Sequence, residues 1–102
     1  MTSSYTVASG RVLALDYGSA HTGAAVSDPT GTIARPLDDI KDAGSPAGID
    51  AVAALAREHG VDRVIVGMPV SLSGEKGAQA RETEEFIARL RQALSVPVEA
   101  LD

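Results

Sequence analysis

The chain contains no cysteine and no tryptophan, and its aromatic residues are two tyrosines and one phenylalanine. Without cysteine, a disulfide framework and a cysteine-ligated zinc or iron–sulfur site are both excluded. No apolar run approaches the roughly 20 residues that a membrane-spanning helix needs. The first ten residues also lack the apolar segment of a secretory signal. We therefore expect a cytoplasmic protein with no membrane partner.

The residues that are present predict one small globular domain. The chain has 102 residues, of which 44% are hydrophobic, so it can bury a core. Residues 1–10 are rich in serine and threonine without periodicity and predict a flexible leader, which leaves 11–102 as a single domain. The formal charge of −5 argues against a domain that grips nucleic acid by bulk positive charge alone.

Hydrophobic patterning predicts the element order β-β-β-α-β-α-β. The apolar run Val12–Leu15 is typical of a strand that is buried on both faces. Turn residues at 28–31 predict a hairpin between the second and third strands. Ser45 and Gly60 are suited to begin and end the first helix, and a second helix is expected after Gly77. The strands are predicted at 11–16, 22–27, about 32–37, 61–67 and from 95 onward.

This order indicates an α/β fold with a mixed sheet. The first three strands would be antiparallel, whereas strands joined through a helix would be parallel and central. In such sheets, chemistry gathers at the carboxyl ends of the parallel strands. Those ends are Asp16, the segment Gly67-Met68-Pro69, and Asp102.

Asp16 is the first candidate for a functional residue. It follows an apolar strand and precedes a turn, so its carboxylate is expected at the sheet edge, where it could hold a hard cation such as Mg²⁺. The alternative is that Asp16 accepts hydrogen bonds from its own turn. Gly18 in that turn would allow close backbone approach to a phosphate, and His21 could contact a phosphate or act as an acid or base, although a solvated turn histidine is also common.

The segment from Gly67 to Gly77 is the second candidate. Glycines and hydroxyls that precede a helix can present backbone N–H groups to an anion. Loops of this length are uncommon in compact domains unless they are functional. The candidate phosphate-binding residues in and after it are Gly67, Pro69, Gly74, Lys76, Gly77 and Gln79.

Two groups of residues resemble the YqgF/RuvX family. Leu15-Asp16-Tyr17-Gly18 and the stretch Gly23 to Leu37 are similar to the opening hairpins of that family. The segments Val66 to Pro69 and Gly74 to Ala80 resemble its second motif. The resemblance covers residues 11–102 and implies an RNase H-like fold. Members of the family are described as Holliday junction resolvases and as nucleases that mature the 5′ end of pre-16S ribosomal RNA.

The resemblance implies a metal-dependent hydrolysis of phosphodiester bonds in structured RNA or branched DNA. It makes Asp16 the catalytic metal ligand and Asp102 a second ligand, with Mg²⁺ or Mn²⁺ as the cofactor. The loop glycines and their neighbours would contact the nucleic-acid backbone.

Two departures from the family pattern change the expectation for this chain. His21 stands where the family usually has a fixed basic residue. The sequence stops at Asp102, before the next glutamate of the family pattern and the last acidic ligand on a later helix. We therefore expect a final helical segment to be missing, with activity weak or absent. An uncovered sheet face would also favour a homodimer.

Two alternatives from other classes stay open. One is a non-catalytic module of the same fold that binds a protein or a nucleic acid. The other is a fragment of a sugar-kinase or actin-like ATPase, since Asp-x-Gly after a first strand also opens those folds. The second alternative requires a further domain, for which 102 residues leave no room.

Overall fold

The computed structural model describes residues 10–28, 34–69 and 76–101. These residues form five strands and two helices in the predicted order. The strands are β1 (Val12–Asp16), β2 (His21–Ser27), β3 (Ala34–Lys41), β4 (Arg63–Gly67) and β5 (Val98–Leu101). The helices are α1 (Pro46–Glu58) and α2 (Lys76–Ala93). Neither helix is long and apolar enough to cross a membrane.

The five strands form one mixed sheet in the order β3-β2-β1-β4-β5. The pairs β1–β2 and β2–β3 are antiparallel, and the pairs β1–β4 and β4–β5 are parallel. The predicted arrangement is thus confirmed: three antiparallel strands and a parallel centre. Pro36 lies in an edge strand, where a missing N–H group is tolerated.

The first helix begins and ends where its sequence indicates. The hydroxyl of Ser45 accepts a hydrogen bond from the Gly48 N–H at 3.0 Å, which satisfies one of the free amides of the first turn. Gly60 adopts φ +59°, a left-handed conformation that glycine reaches without strain.

Both helices pack on the same face of the sheet. Leu13, Leu15, Val64 and Val66 point into that face and are buried, and they meet apolar residues of both helices. Those helix residues are Ile49, Val52 and Ala56 of α1 and Phe86, Ile87 and Leu90 of α2. We call this side the covered face.

The opposite side, which we call the open face, carries no element from the described part of the chain. Ala14 and Asp16 on β1 are exposed there, and Leu101 on β5 is 57% exposed. The prediction that the first strand is buried on both faces is therefore wrong. Its side chains alternate between a packed and an uncovered surface because both helices lie on one side.

Several element bounds also differ from the prediction, and two of these differences affect the site: the end of β3 and the start of α2. β3 continues to Lys41 rather than ending near Leu37, because β2 pairs with it as far as His21. α2 begins at Lys76, so Lys76 and Gly77 belong to the helix rather than to the preceding loop. Within the sheet, a bulge between Thr22 and Ala24 lets β3 place one extra residue opposite β2.

Candidate active site

The carboxyl ends of three adjacent strands meet at one edge of the sheet, as expected. In the register, Asp16 of β1 lies beside Gly67 of β4, and Gly67 lies beside Leu101 of β5. The Met68 N–H donates to the Leu101 carbonyl at 2.8 Å, which keeps these ends together beyond the strand. Asp102 follows directly but lies outside the described residues.

Asp16 has a glycine on each side in the sheet. Its partner is Gly23 on β2 and Gly67 on β4, so no side chain of either partner crowds the exposed carboxylate. A shallow cavity of about 280 Å³ opens around these residues on the open face. The carboxylate is therefore available to a ligand that approaches the open face.

The turn after Asp16 explains why residue 18 is a glycine. A Cβ atom at position 18 would lie 2.5 Å from the His21 carbonyl oxygen, closer than real Cβ contacts come. The Gly18 N–H donates to the Thr22 hydroxyl at 3.3 Å, and that hydroxyl donates to the Gly18 carbonyl at 3.2 Å. The geometry of the turn alone thus requires Gly18. Its predicted contact with a phosphate stays a prediction.

His21 is exposed at the first position of β2, at the same edge as Asp16. It lies two residues from Gly23, the register partner of Asp16, so the two side chains are diagonal neighbours on the open face, with Cα atoms roughly 7–8 Å apart. Its direct partner across the strand pair is Lys41, which is also exposed.

Lys41 is a residue that the sequence analysis missed. It brings a fixed positive charge next to His21. The third strand was predicted to end near Leu37, before Lys41. Only the extension of β3 to Lys41, which depends on the register with β2, makes this residue a neighbour of His21.

The second predicted segment is only partly described. Gly67 and Pro69 lie at the carboxyl end of β4 and just after it, at the same edge as Asp16. Gly74 lies outside the described residues, as does the side chain of Lys76. Gly77 and Gln79 lie in the first turn of α2, and the Gln79 side chain is exposed.

Two further contacts fix the helices against this edge. The rings of Tyr17 and Phe86 lie 4.6 Å apart between centroids, tilted by 31°. Arg89 Nη1 donates to the Gly44 carbonyl at 2.9 Å, just before α1. Tyr17 directly follows Asp16, so the site is anchored to the core through its neighbour in sequence.

The described residues do not by themselves complete a divalent-metal centre. Across 10–28, 34–69 and 76–101, no group of three or more histidine, aspartate or glutamate side chains is close enough to hold a metal ion. Among the described residues, Asp16 is the single carboxylate at the carboxyl ends of the parallel strands β1, β4 and β5. One carboxylate does not hold two divalent ions against their hydration, so a two-metal site needs further ligands.

Comparison with solved structures supports the fold. The chain is similar to RuvC of Thermus thermophilus in complex with a Holliday junction substrate, with a TM-score of 0.59 and 20% sequence identity. The match covers 90% of this chain and 62% of that protein. At this identity the likeness establishes the shared fold alone.

The chain is more similar in sequence to curated relatives than to this solved structure. A protein of Chloroflexus aurantiacus named "Putative pre-16S rRNA nuclease" is 42% identical over 91 residues, which is 89% of this chain and 60% of the relative. A protein of Rubrobacter xylanophilus with the same name is 48% identical over 82 residues, or 80% of this chain and 57% of the relative. The chain thus spans about 60% of the length of such relatives.

The family profile agrees with these relatives and with the motifs around Asp16 and Gly67. The profile described as "RuvX: Holliday junction resolvase" matches residues 10–102, nearly the whole chain. The chain belongs to the RuvX family.

Proposed function

We propose that this chain carries the nucleic-acid-cleaving site of its family at the edge marked by Asp16. The substrate class would be structured RNA, such as the 5′ end of pre-16S ribosomal RNA, or branched DNA. The observation that carries the proposal is the position of Asp16: an exposed carboxylate at the end of β1, with glycines on both neighbouring strands and an open cavity around it.

The residues around Asp16 would contact a phosphodiester from two sides. His21 and Lys41 lie together on the open face and would attract backbone phosphates. Gly67 and Pro69, with Gly77 and Gln79 at the start of α2, would contact the backbone from the other side of Asp16. The positive end of the α2 dipole favours a phosphate there.

The cofactor would be Mg²⁺ or Mn²⁺, which lowers the pKa of bound water and neutralises charge on the phosphate. Asp16 would be one of its ligands, and Asp102 is proposed as another. Since the described ends of the parallel strands supply a single carboxylate, we expect cleavage by this chain to be weak or absent until further carboxylates complete the site.

A cleavage assay tests this proposal. Labelled pre-16S RNA precursor and a four-way DNA junction would be incubated with the chain in Mg²⁺, in Mn²⁺ and in EDTA. We expect at most slow metal-dependent cleavage, which Asp16→Asn removes while the free energy of unfolding stays within about 0.5 kcal/mol of wild type. Cleavage that survives in Asp16→Asn would contradict the assignment. Fast cleavage that Asp16→Asn abolishes would keep the site and contradict the expected weakness.

The single carboxylate also favours a second candidate, a non-catalytic module that binds nucleic acid or protein through the same edge. Metal-independent binding of the junction or the RNA, unchanged in Asp16→Asn and weakened in Lys41→Gln, would support it. Binding that requires both metal and Asp16 would favour the nuclease.

The open face also leads us to propose self-association. Its apolar side chains include Ile65, half-buried, and Leu101, which is 57% exposed. Sedimentation of the wild type and of Leu101→Glu over a wide concentration range tests this. A wild-type monomer at all concentrations would contradict it.

A further inference from the structure

The connection between β1 and β2 has to hold a fixed shape, because it joins Asp16 directly to His21. Three contacts attach its four residues to the rest of the molecule. The Tyr17 ring lies on Phe86, and the Ala20 carbonyl accepts the Asp42 N–H at 3.1 Å. The third contact is the pair of hydrogen bonds between Gly18 and the Thr22 hydroxyl.

Thr22 is fully buried on the covered face. A buried hydroxyl has lost its hydrogen bonds to water and needs partners inside the protein. Both of its partners are backbone groups of Gly18, the N–H at 3.3 Å and the carbonyl at 3.2 Å. Beyond the last residue pair of β1 and β2, the hydroxyl therefore makes the two hydrogen bonds to Gly18 that a backbone N–H and carbonyl would make in a strand pair.

Packing alone gives no reason for a hydroxyl at this position. The neighbours of Thr22 on the covered face of β2, Ala24 and Val26, are apolar, and valine would fill the same volume with a high preference for strands. The feature that distinguishes threonine from valine here is its bond to the turn.

We propose that Thr22 is a positioning residue: its buried hydroxyl holds Gly18 and so fixes how Asp16 and His21 are presented to nucleic acid. This rests on the proposed function, because the positions of Asp16 and His21 affect activity only if this edge binds a phosphodiester. The turn that the Thr22 hydroxyl closes also requires glycine at position 18, because the nearby His21 carbonyl leaves no room for a side chain there.

Two substitutions and a matched control test the proposal. Thr22→Val removes the hydroxyl and keeps the volume, whereas Thr22→Ser keeps the hydroxyl. The control is Ser27→Ala, because the Ser27 hydroxyl accepts a hydrogen bond from the Val12 N–H at 2.9 Å at the other end of the β1–β2 pair, away from the turn. Each variant is first compared with wild type by denaturant unfolding.

The direct measurement is amide hydrogen exchange at Gly18, followed by NMR. We expect exchange about five- to tenfold faster in Thr22→Val, the size expected for one lost hydrogen bond, near the wild-type rate in Thr22→Ser, and unchanged in Ser27→Ala. Equal exchange at Gly18 in wild type and Thr22→Val would overturn the proposal.

The functional measurement uses a labelled four-way DNA junction and a pre-16S RNA fragment, both in Mg²⁺. Thr22→Val is expected to lose about five- to tenfold in affinity or cleavage, with rescue by Thr22→Ser and no loss in Ser27→Ala. A Thr22→Val variant that exchanges faster at Gly18 yet acts as wild type would overturn the positioning role.

Failure of the proposed function gives a different result. In that case Asp16→Asn equals wild type in every nucleic-acid assay, and the carboxyl ¹³C resonance of Asp16 decides the question instead. A shift of this resonance in Thr22→Val and not in Ser27→Ala supports positioning by Thr22, and an unshifted resonance overturns it.

Discussion

The covered and open faces of the sheet are built from the same strands but have opposite chemistry. On β1, Leu13 and Leu15 are buried against the helices, while Ala14 and Asp16 alternate with them on the other side and are exposed. β4 repeats the contrast, with Val64 and Val66 on the covered face and Gly67 at the open edge. Stability thus comes from one face, whereas no element of 10–28, 34–69 or 76–101 covers the other.

The largest expected effect is a difference in unfolding free energy between substitutions on the covered face and on the open face. Leu13→Ala on the covered face removes a fully buried side chain and should lower the free energy of unfolding by about 2–5 kcal/mol. Ala14→Ser, at the next residue on the open face, should change it by less than about 0.5 kcal/mol. Urea unfolding of both variants measures this. Similar losses in both would mean that the open face is packed in solution.

A smaller effect separates the glycines around Asp16. Gly18→Ala places a methyl group against the His21 carbonyl at 2.5 Å and should cost about 1–3 kcal/mol of unfolding free energy. Gly23→Ala meets only the Asp16 Cβ at 3.8 Å, an ordinary contact, and should cost less than about 0.5 kcal/mol. If Gly18→Ala proved as stable as wild type by thermal or urea unfolding, the turn would not be closed as described.

Binding of nucleic acid should depend on charge at one edge of the open face. Lys41→Gln removes one proposed phosphate contact, so the slope of log K against log salt should fall in magnitude by about 0.7–0.9. Arg57→Gln is the control, because Arg57 is exposed in the last turn of α1, at the end of the sheet away from Asp16. Fluorescence titrations at several salt concentrations measure both slopes, and equal slopes for the two variants would contradict a contact at Lys41.

The smallest effect concerns the ion pair between Arg63 and Glu99. It lies on the open face, its charged atoms are 3.4 Å apart, and its side chains are 47% and 51% exposed. A double-mutant cycle with Arg63→Gln and Glu99→Gln should give a coupling below about 0.5 kcal/mol that weakens with salt. A larger coupling, insensitive to salt, would indicate that another molecule covers this part of the open face.

Most of the fold could be predicted from local sequence. Ser45, Pro46 and Gly60 determine the limits of α1 because capping and a left-handed terminus depend on a few neighbouring residues. The place of Asp16 at the end of a central strand follows from the apolar run before it and from the rule that strands joined through a helix are parallel. The burial of β1 on a single face could not be predicted, because it depends on where two distant helices pack.

The candidate site likewise combines residues that the local sequence predicts with one that only the tertiary structure brings to it. The sequence by itself determined the RuvX-type motifs, the order of elements along the chain and the choice of Asp16 as a candidate, all of which depend on residue type and short spacing. The register between β2 and β3 needed the tertiary structure. Counting back from the Ser27–Ala34 pair would put Ile40 opposite His21, but the bulge after Thr22 adds one residue and puts Lys41 there. A shift of one residue exchanges the faces of a strand, so Ile40 is buried in the core and Lys41 lies at the open edge beside His21.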